Sequence, residues 1–339
     1  MTGEQIRYRN LDIAKGICMI CMILTHISGW TSSFQVINKY TSVFFLIFYF
    51  INSGLLYKSG ENFKYFFRKM ARKLLIPYIV LTILYFLYFE IVNRNYVGNS
   101  LSQIIYRCLV SLILASPAWI QEVSFFYVDS ISVGPIWFWS CMFFTYILYF
   151  YISKSKWKLY ISVILAIVAS ISMKNFILPF NLQCACVGCM FFAIGDCFKK
   201  AIFRGFVFLK RSNIWLNIII FSLGGGMYYL AINKLPYQWM NMGENQYFMI
   251  SIISSLLGCI TLMTVIEIIE KLKFCDNVLE YIGINSMFIL MVHHIDIMMF
   301  RDWGKFTLEA NQLAASCILG YLFITILYEK FAQREKMCE

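Results

Sequence analysis

Three histidines and one lysine of this 339-residue chain stand inside strongly apolar segments, where an ionisable group is costly and marks candidate chemistry. Lys15 and His26 are eleven residues apart. At about 100° per residue they fall within about 20° of the same helical face, separated by about 16 Å along the axis. Asp12, three residues before Lys15, is placed to pair with it. Lys15 would lie near one mouth of a span and His26 past its middle, a stripe that could line a path from a charged ligand to a reacting group inside the membrane. The competing reading is that Lys15 snorkels to the interface and His26 makes a structural hydrogen bond. A second polar cluster, Asn285, Ser286, His293 and His294, falls in a later apolar segment, with His293 near mid-depth. A third candidate is the loop expected from Lys58 to Lys73, where Lys58, Lys64, Arg68, Lys69, Arg72 and Lys73 are opposed only by Glu61. Such a run serves either as a topology signal or as a phosphate-binding surface.

The elements that must position these groups are membrane helices. Hydrophobic residues make up 60% of the chain and charged ones 14%, with a mean hydropathy of +0.68, more apolar than a soluble domain can hide. Apolar runs near twenty residues recur, and strand-length alternation does not, so the expected fold class is an all-α polytopic integral membrane protein. We read about ten spans, near 11–29, 40–57, 74–92, 136–152, 158–173, 181–198, 213–232, 247–268, 281–299 and 311–328. With both termini cytoplasmic, the connecting segments on that side hold roughly threefold more Lys and Arg than the outer ones. Residues 100–115 are apolar enough to span, but Arg107 sits mid-segment, and a further span would invert every later basic loop. That stretch is therefore expected as an amphipathic or re-entrant helix on the outer side. Arg7 and Arg9 precede the first apolar segment, but Lys15 interrupts it and no small-residue cleavage site follows, so it reads as a retained span. No linker or repeat divides residues 1–339, which read as one membrane-embedded domain.

Of the twelve cysteines, most lie within apolar runs and read as small packing residues. Cys186 and Cys189 have a metal-like spacing without a second pair or a nearby histidine, so no metal is expected. The net charge of +11 follows the loop bias and calls for membrane lipids rather than nucleic acid as partner. Trp119, Tyr127, Trp137 and Trp139 gather near the fourth span and read as interfacial belt aromatics, with a sugar-stacking platform as the alternative.

Several segments, in order, resemble the membrane-bound acyltransferase family three. Arg9-Asn10-Leu11-Asp12-Ile13-Ala14-Lys15-Gly16 with His26 is similar to the family's first-span signature, a Leu-Asp, a basic residue three after the Asp and a histidine eleven further on. Phe50-Ile51-Asn52-Ser53-Gly54 resembles its Phe-x-Ser-Gly end of span two, with Asn52 as an extra polar residue. The basic run from Arg68 to Lys73 leading into Leu74-Leu75-Ile76-Pro77-Tyr78 resembles the entry to span three. Gly134-Pro135-Ile136-Trp137-Phe138-Trp139 resembles the start of span four, and Gly283-Ile284-Asn285-Ser286 with His293 resembles the penultimate-span motif.

The resemblance implies transfer of an acyl group, commonly acetyl from cytoplasmic acetyl-CoA or another acyl-CoA, to a hydroxyl of an extracytoplasmic or lipid-linked glycan in a bacterial inner membrane. It is the stand-alone form, without a fused extracytoplasmic domain, that the chain resembles. Under it, Arg68, Lys69, Arg72 and Lys73 take the CoA phosphates, Lys15 favours the anionic donor, and His26 is general base or a transiently acylated nucleophile. Asn285, Ser286 and His293 orient His26 or polarise the thioester carbonyl. The alternative is a transporter or flippase for a polysaccharide or lipid-linked intermediate, with the histidines coupling protons.

Overall fold

A computed structural model of the chain describes residues 8–27, 39–93, 101–116, 120–123, 126–130, 132–173, 176–234, 248–299 and 310–338. Among these residues it is helical apart from one antiparallel hairpin. α1 (Arg9–Ile27) and α2 (Phe45–Leu55) come first. α3 (Phe63–Met70), a π-helical turn at Ala71–Leu75 and α4 (Ile76–Asn93) then follow without a gap. α5 (Leu101–Leu114) precedes β1 (Ile120–Val123) and β2 (Phe126–Ser130). Short 3-10 turns at Gly134–Ile136 and Pro179–Asn181 open α6 (Trp137–Ile152) and α8 (Leu182–Cys197), with α7 (Lys158–Ser172) between them. α9 (Lys199–Arg211), α10 (Ile214–Lys234), α11 (Phe248–Leu272), α12 (Asp276–Ile284), α13 (Ser286–Met299) and α14 (Ala310–Cys338) complete the bundle.

Five helices among the described residues are long and apolar enough to cross a membrane, and six spans result if the bent pair α12 and α13 counts as one. The other expected spans coincide with α1, α2, α7 and α14. Of these, α2 and α7, at 11 and 15 residues, are short for a 30 Å core.

Four expectations are corrected. The basic segment is a helix rather than a loop over most of its length: Asn62 caps α3 by accepting from Lys64 N–H at 2.9 Å, and Phe66 and Met70, one turn apart, are both buried. Arg68 and Lys69 thus stand on α3, with Arg72 and Lys73 in the π-helical turn. The expected span at 281–299 is broken at Asn285, where the chain bends by 76° between α12 and α13. Trp137 and Trp139 are not belt aromatics but core residues, 4% and 2% exposed. Trp119 lies outside the described residues. The hairpin at 120–130 has no counterpart in the sequence pattern, whereas residues 101–114 do form a separate short helix, α5, which packs on β2 and on the turn that opens α8.

Two helix crossings depend on glycine. A Cβ on Gly16 would lie 2.0 Å from the Leu279 carbonyl oxygen, and one on Gly283 would lie 1.7 Å from that of Asp12, so α1 and α12 touch backbone to backbone. The same reciprocity joins α2 and α8: a Cβ on Gly54 would meet Phe192 O at 2.0 Å and one on Gly195 would meet Ile51 O at 2.1 Å. Close approach of this kind is how membrane helices gain packing energy where lipid offers no hydrophobic drive. Gly283→Ala should therefore lower stability by roughly 1–3 kcal/mol or more through overpacking. Gly226→Ala in α10, with nothing within 4 Å of its added Cβ, should be neutral or gain roughly 0.5–1 kcal/mol. Thermal unfolding of the two variants in detergent, side by side, checks this.

Candidate functional site

The charged ends of several helices meet at one end of the bundle. Arg9 donates from Nε to Glu280 and from Nη2 to Asp276 and Asn277, each at 2.8 Å, and its Nη1 lies 3.5 Å from Glu270. Asn10 donates to Glu267. The start of α1 is thereby fastened to the end of α11 and to α12. Lys158 and Tyr149 both donate to Asp196, at 2.5 and 2.7 Å, tying α6, α7 and α8. Tyr281 donates to Glu329 at 2.9 Å, bringing α14 to α12 at the same end.

From that end a line of polar groups leads inward. Lys15 Nζ lies 2.5 Å from Asp12 Oδ1, with 21% of the lysine side chain and 7% of the aspartate exposed. The pairing read from the i, i+3 spacing is present, and Lys15 keeps an open face. Lys73 stands within electrostatic reach of Lys15 and Lys69, so three ammonium groups follow one another from the surface towards α1. Lys69 also pairs with Glu61 at 2.8 Å. Arg68, Arg72 and Lys73 are exposed. The π-helical turn that carries Arg72 and Lys73 is a local widening of the kind frequent at functional positions.

Deeper in the bundle, the Tyr49 hydroxyl donates to the Lys15 carbonyl at 3.0 Å and is within hydrogen-bonding reach of Ser286. Ser286 begins α13, directly after the break, where unpaired backbone N–H groups and the helix dipole favour negative charge. Asn285 occupies the break itself (φ −95°, ψ 14°), and both its backbone N–H and its side-chain amide donate to the Tyr281 carbonyl. Farther along, the rings of His26 on α1 and His293 on α13 have centroids 5.2 Å apart at a 34° tilt. His26 is partly exposed, whereas His293 is 1% exposed. His293 Nδ1 lies 3.1 Å from the Tyr321 hydroxyl, which donates in turn to Asp296 Oδ2. His293 Nε2 has no hydrogen-bond partner among the described residues.

The structure thus brings Asp12, Lys15, His26, Ser286 and His293 along one side of α1, with Asn285 at the bend and Lys69 and Lys73 leading in. His294 points elsewhere, to the ring of Tyr85 on α4. Sequence reasoning misses Tyr49, Asp296 and Tyr321. Asp296 carries a usable signal, an acid three residues after His293 within an apolar segment. Tyr49 and Tyr321 carry none, since tyrosines number 22 in the chain. Among the described residues no group of three or more His, Cys, Asp or Glu is placed to hold a metal ion.

A family model described as an acyltransferase domain matches residues 8–329, nearly the whole chain. The chain belongs to acyltransferase family 3. No curated protein and no solved structure matches it. As a family 3 acyltransferase it is a multi-pass membrane protein, and its matched region begins at the residue next to Arg9 and ends at Glu329, so both anchors of the charged end fall inside or at the edge of the family's domain.

Arg9→Met should remove the one cation that Glu270, Asp276 and Glu280 share among the described residues, leaving Lys210 within reach of Glu270. The midpoint of thermal unfolding should fall by several degrees at low salt, and the gap to wild type should narrow in high salt, which screens the remaining repulsion between partly exposed groups.

Proposed function

We propose that this acyltransferase moves an acyl group, acetyl foremost, from cytoplasmic acyl-CoA to a hydroxyl of an extracytoplasmic or lipid-linked glycan, in a bacterial inner membrane. The observation that carries the reading is the meeting of His26 and His293, from opposite ends of the sequence, at a ring separation of 5.2 Å inside an apolar bundle. Both lie beyond a line of ammonium groups that starts at the surface.

Lys69, Arg72 and Lys73 suit the CoA phosphates as exposed cations at the mouth, with Arg68 beside them and Lys15 farther in. Asp12 holds Lys15 in place without burying its charge. The pantetheine arm then passes the helix break, where Asn285, Ser286 and the first N–H groups of α13 are donors suited to its amide carbonyls, and the thioester lies about two helical turns farther in, at His26 and His293. The acceptor hydroxyl oxygen attacks the carbonyl carbon while an imidazole nitrogen of His26 takes its proton. The tetrahedral oxyanion collapses, the carbon–sulfur bond breaks, and the departing thiolate recovers the proton from His26 to leave as CoA thiol. General-base assistance of this type contributes about 10² to 10⁴ in rate. An acylated His26 is a second route to the same products. It differs in one observable, label held on the protein when acceptor is withheld.

His26→Ala should reduce transfer of radiolabel from acetyl-CoA into glycan and lipid-linked fractions by about 10² or more while expression and membrane insertion persist. Retained transfer would remove His26 from the chemistry. Silence of wild type with every acyl-CoA tried would instead favour transport, a role for which the bent α12 and α13 pair would also serve. Lys15→Ala should raise the KM for acyl-CoA with a smaller effect on kcat, and an unchanged KM would contradict its place on the donor path.

A further inference from the structure

We propose that Asp296 and Tyr321 are positioning residues that fix His293 as its Nδ1–H tautomer, leaving Nε2 with the lone pair of a ring that adjoins His26. The inference deepens the acyl-transfer reading and rests on it for its catalytic consequence, though not for the tautomer itself.

Proton counting along the chain of contacts gives the assignment. The Tyr321 hydroxyl has one hydrogen, and its contact with Asp296 Oδ2 uses it, because an ionised carboxylate can only accept. The phenolic oxygen is then left with lone pairs. His293 Nδ1, 3.1 Å away, must supply the hydrogen for that contact to be a bond. A neutral imidazole carries one N–H, so Nε2 has the lone pair. That atom is buried and has no partner among the described residues. Its ring is already in contact with the ring of His26.

The consequence lies on His26. For one nitrogen of its neutral ring to take a proton from a hydroxyl, the other must carry the N–H, and that N–H needs an acceptor to hold the ring in place. His293 Nε2 has no partner in the resting structure and is the acceptor available beside that ring, so the bond forms on the way to attack. It is strongest once His26 becomes an imidazolium, since its donor is then charged. Asp296 and Tyr321 touch neither substrate nor His26 in this scheme. They act through His293, much as outer partners fix the tautomer of a working histidine elsewhere. Asp296 stands three residues after His293 on α13, and Tyr321 reaches across from α14, so two helices must keep their register for the chain of bonds to persist.

The chain has only three histidines, which makes the tautomer directly observable. The full-length protein, labelled with ¹⁵N-histidine and reconstituted in lipid, gives three pairs of ring nitrogens, and loss of one pair in His293→Gln assigns that residue. The expected result is a protonated Nδ1 and an unprotonated Nε2 for His293 in wild type, with that preference lost in Tyr321→Phe and in Asp296→Asn. A protonated Nε2 in wild type would overturn the proposal, because it means that Asp296 holds a proton and donates it to Tyr321. In acyl transfer, Tyr321→Phe should lower kcat on the order of ten- to hundredfold with the KM for acyl-CoA unchanged. It should have no further effect in the His293→Gln background, and Asp296→Glu should recover part of what Asp296→Asn loses. An unchanged kcat in Tyr321→Phe, beside an inactive His26→Ala, would refute the catalytic consequence alone. Activity retained in His26→Ala would refute the acyl-transfer role of that histidine, and the nitrogen spectrum would still decide the tautomer.

Discussion

The contact on which the site depends is the crossing of α1 and α12 at Gly16 and Gly283, where two backbones meet with no side chain between them. Its sense matters as much as its closeness. Gly16 faces Leu279 and Gly283 faces Asp12, so rising positions in α12 meet falling positions in α1. Beyond Asn285 the sense reverses: Ser286 is level with Lys15 through Tyr49, and His293 is level with His26. Both sets of contacts hold only if the chain turns between Gly283 and Ser286. The 76° bend at Asn285 is therefore what delivers His293 to His26, since a straight continuation of α12 would carry it the other way.

This gives a physical reason for the Gly-x-Asn-Ser segment. The glycine allows the crossing, the asparagine returns its amide and backbone N–H to the last carbonyls of α12, and the serine begins the next helix beside Tyr49. A broken helix within an apolar bundle is tolerable only where the freed backbone groups find partners in protein. Arg9 secures the arrangement from outside by gathering carboxylates from α11 and α12 against the first turn of α1.

Much of this site is legible in the amino-acid sequence, and the limits are physical. Lys15, His26 and His293 stand out because a titratable side chain in an apolar run is conspicuous, and the Asp12–Lys15 pair because three residues is nearly one helical turn. The bend at Asn285 does not, since neither propensity nor periodicity marks a turn between two short helices of similar hydropathy. Charge misleads at residues 58–73: six cations suggest a loop, while the two apolar residues that seat the helix, Phe66 and Met70, are only one turn apart. Trp137 and Trp139 read as interfacial because composition cannot separate a ring that faces lipid from one that faces protein. The ten-span pattern has helices throughout, but α2 and α7 are short, and length alone admits five or six spans among the described residues.

The competing view of His26, that it makes a structural hydrogen bond, has a counterpart at His293 that can be weighed against that ring's surroundings. A histidine kept for structure should have both ring nitrogens satisfied, because an orphaned buried nitrogen costs about 1–3 kcal/mol. At His293 the support is one-sided: Nδ1 is held by a tyrosine that is itself held by an acid, while Nε2 is left without a partner beside another imidazole. Two further polar residues on two helices are committed to one nitrogen, and none of the described residues to the other. Packing gains nothing from that asymmetry. A group that must accept a hydrogen bond only while substrate is bound would need it, and for that reason the one-sided support of His293 favours chemistry over scaffolding.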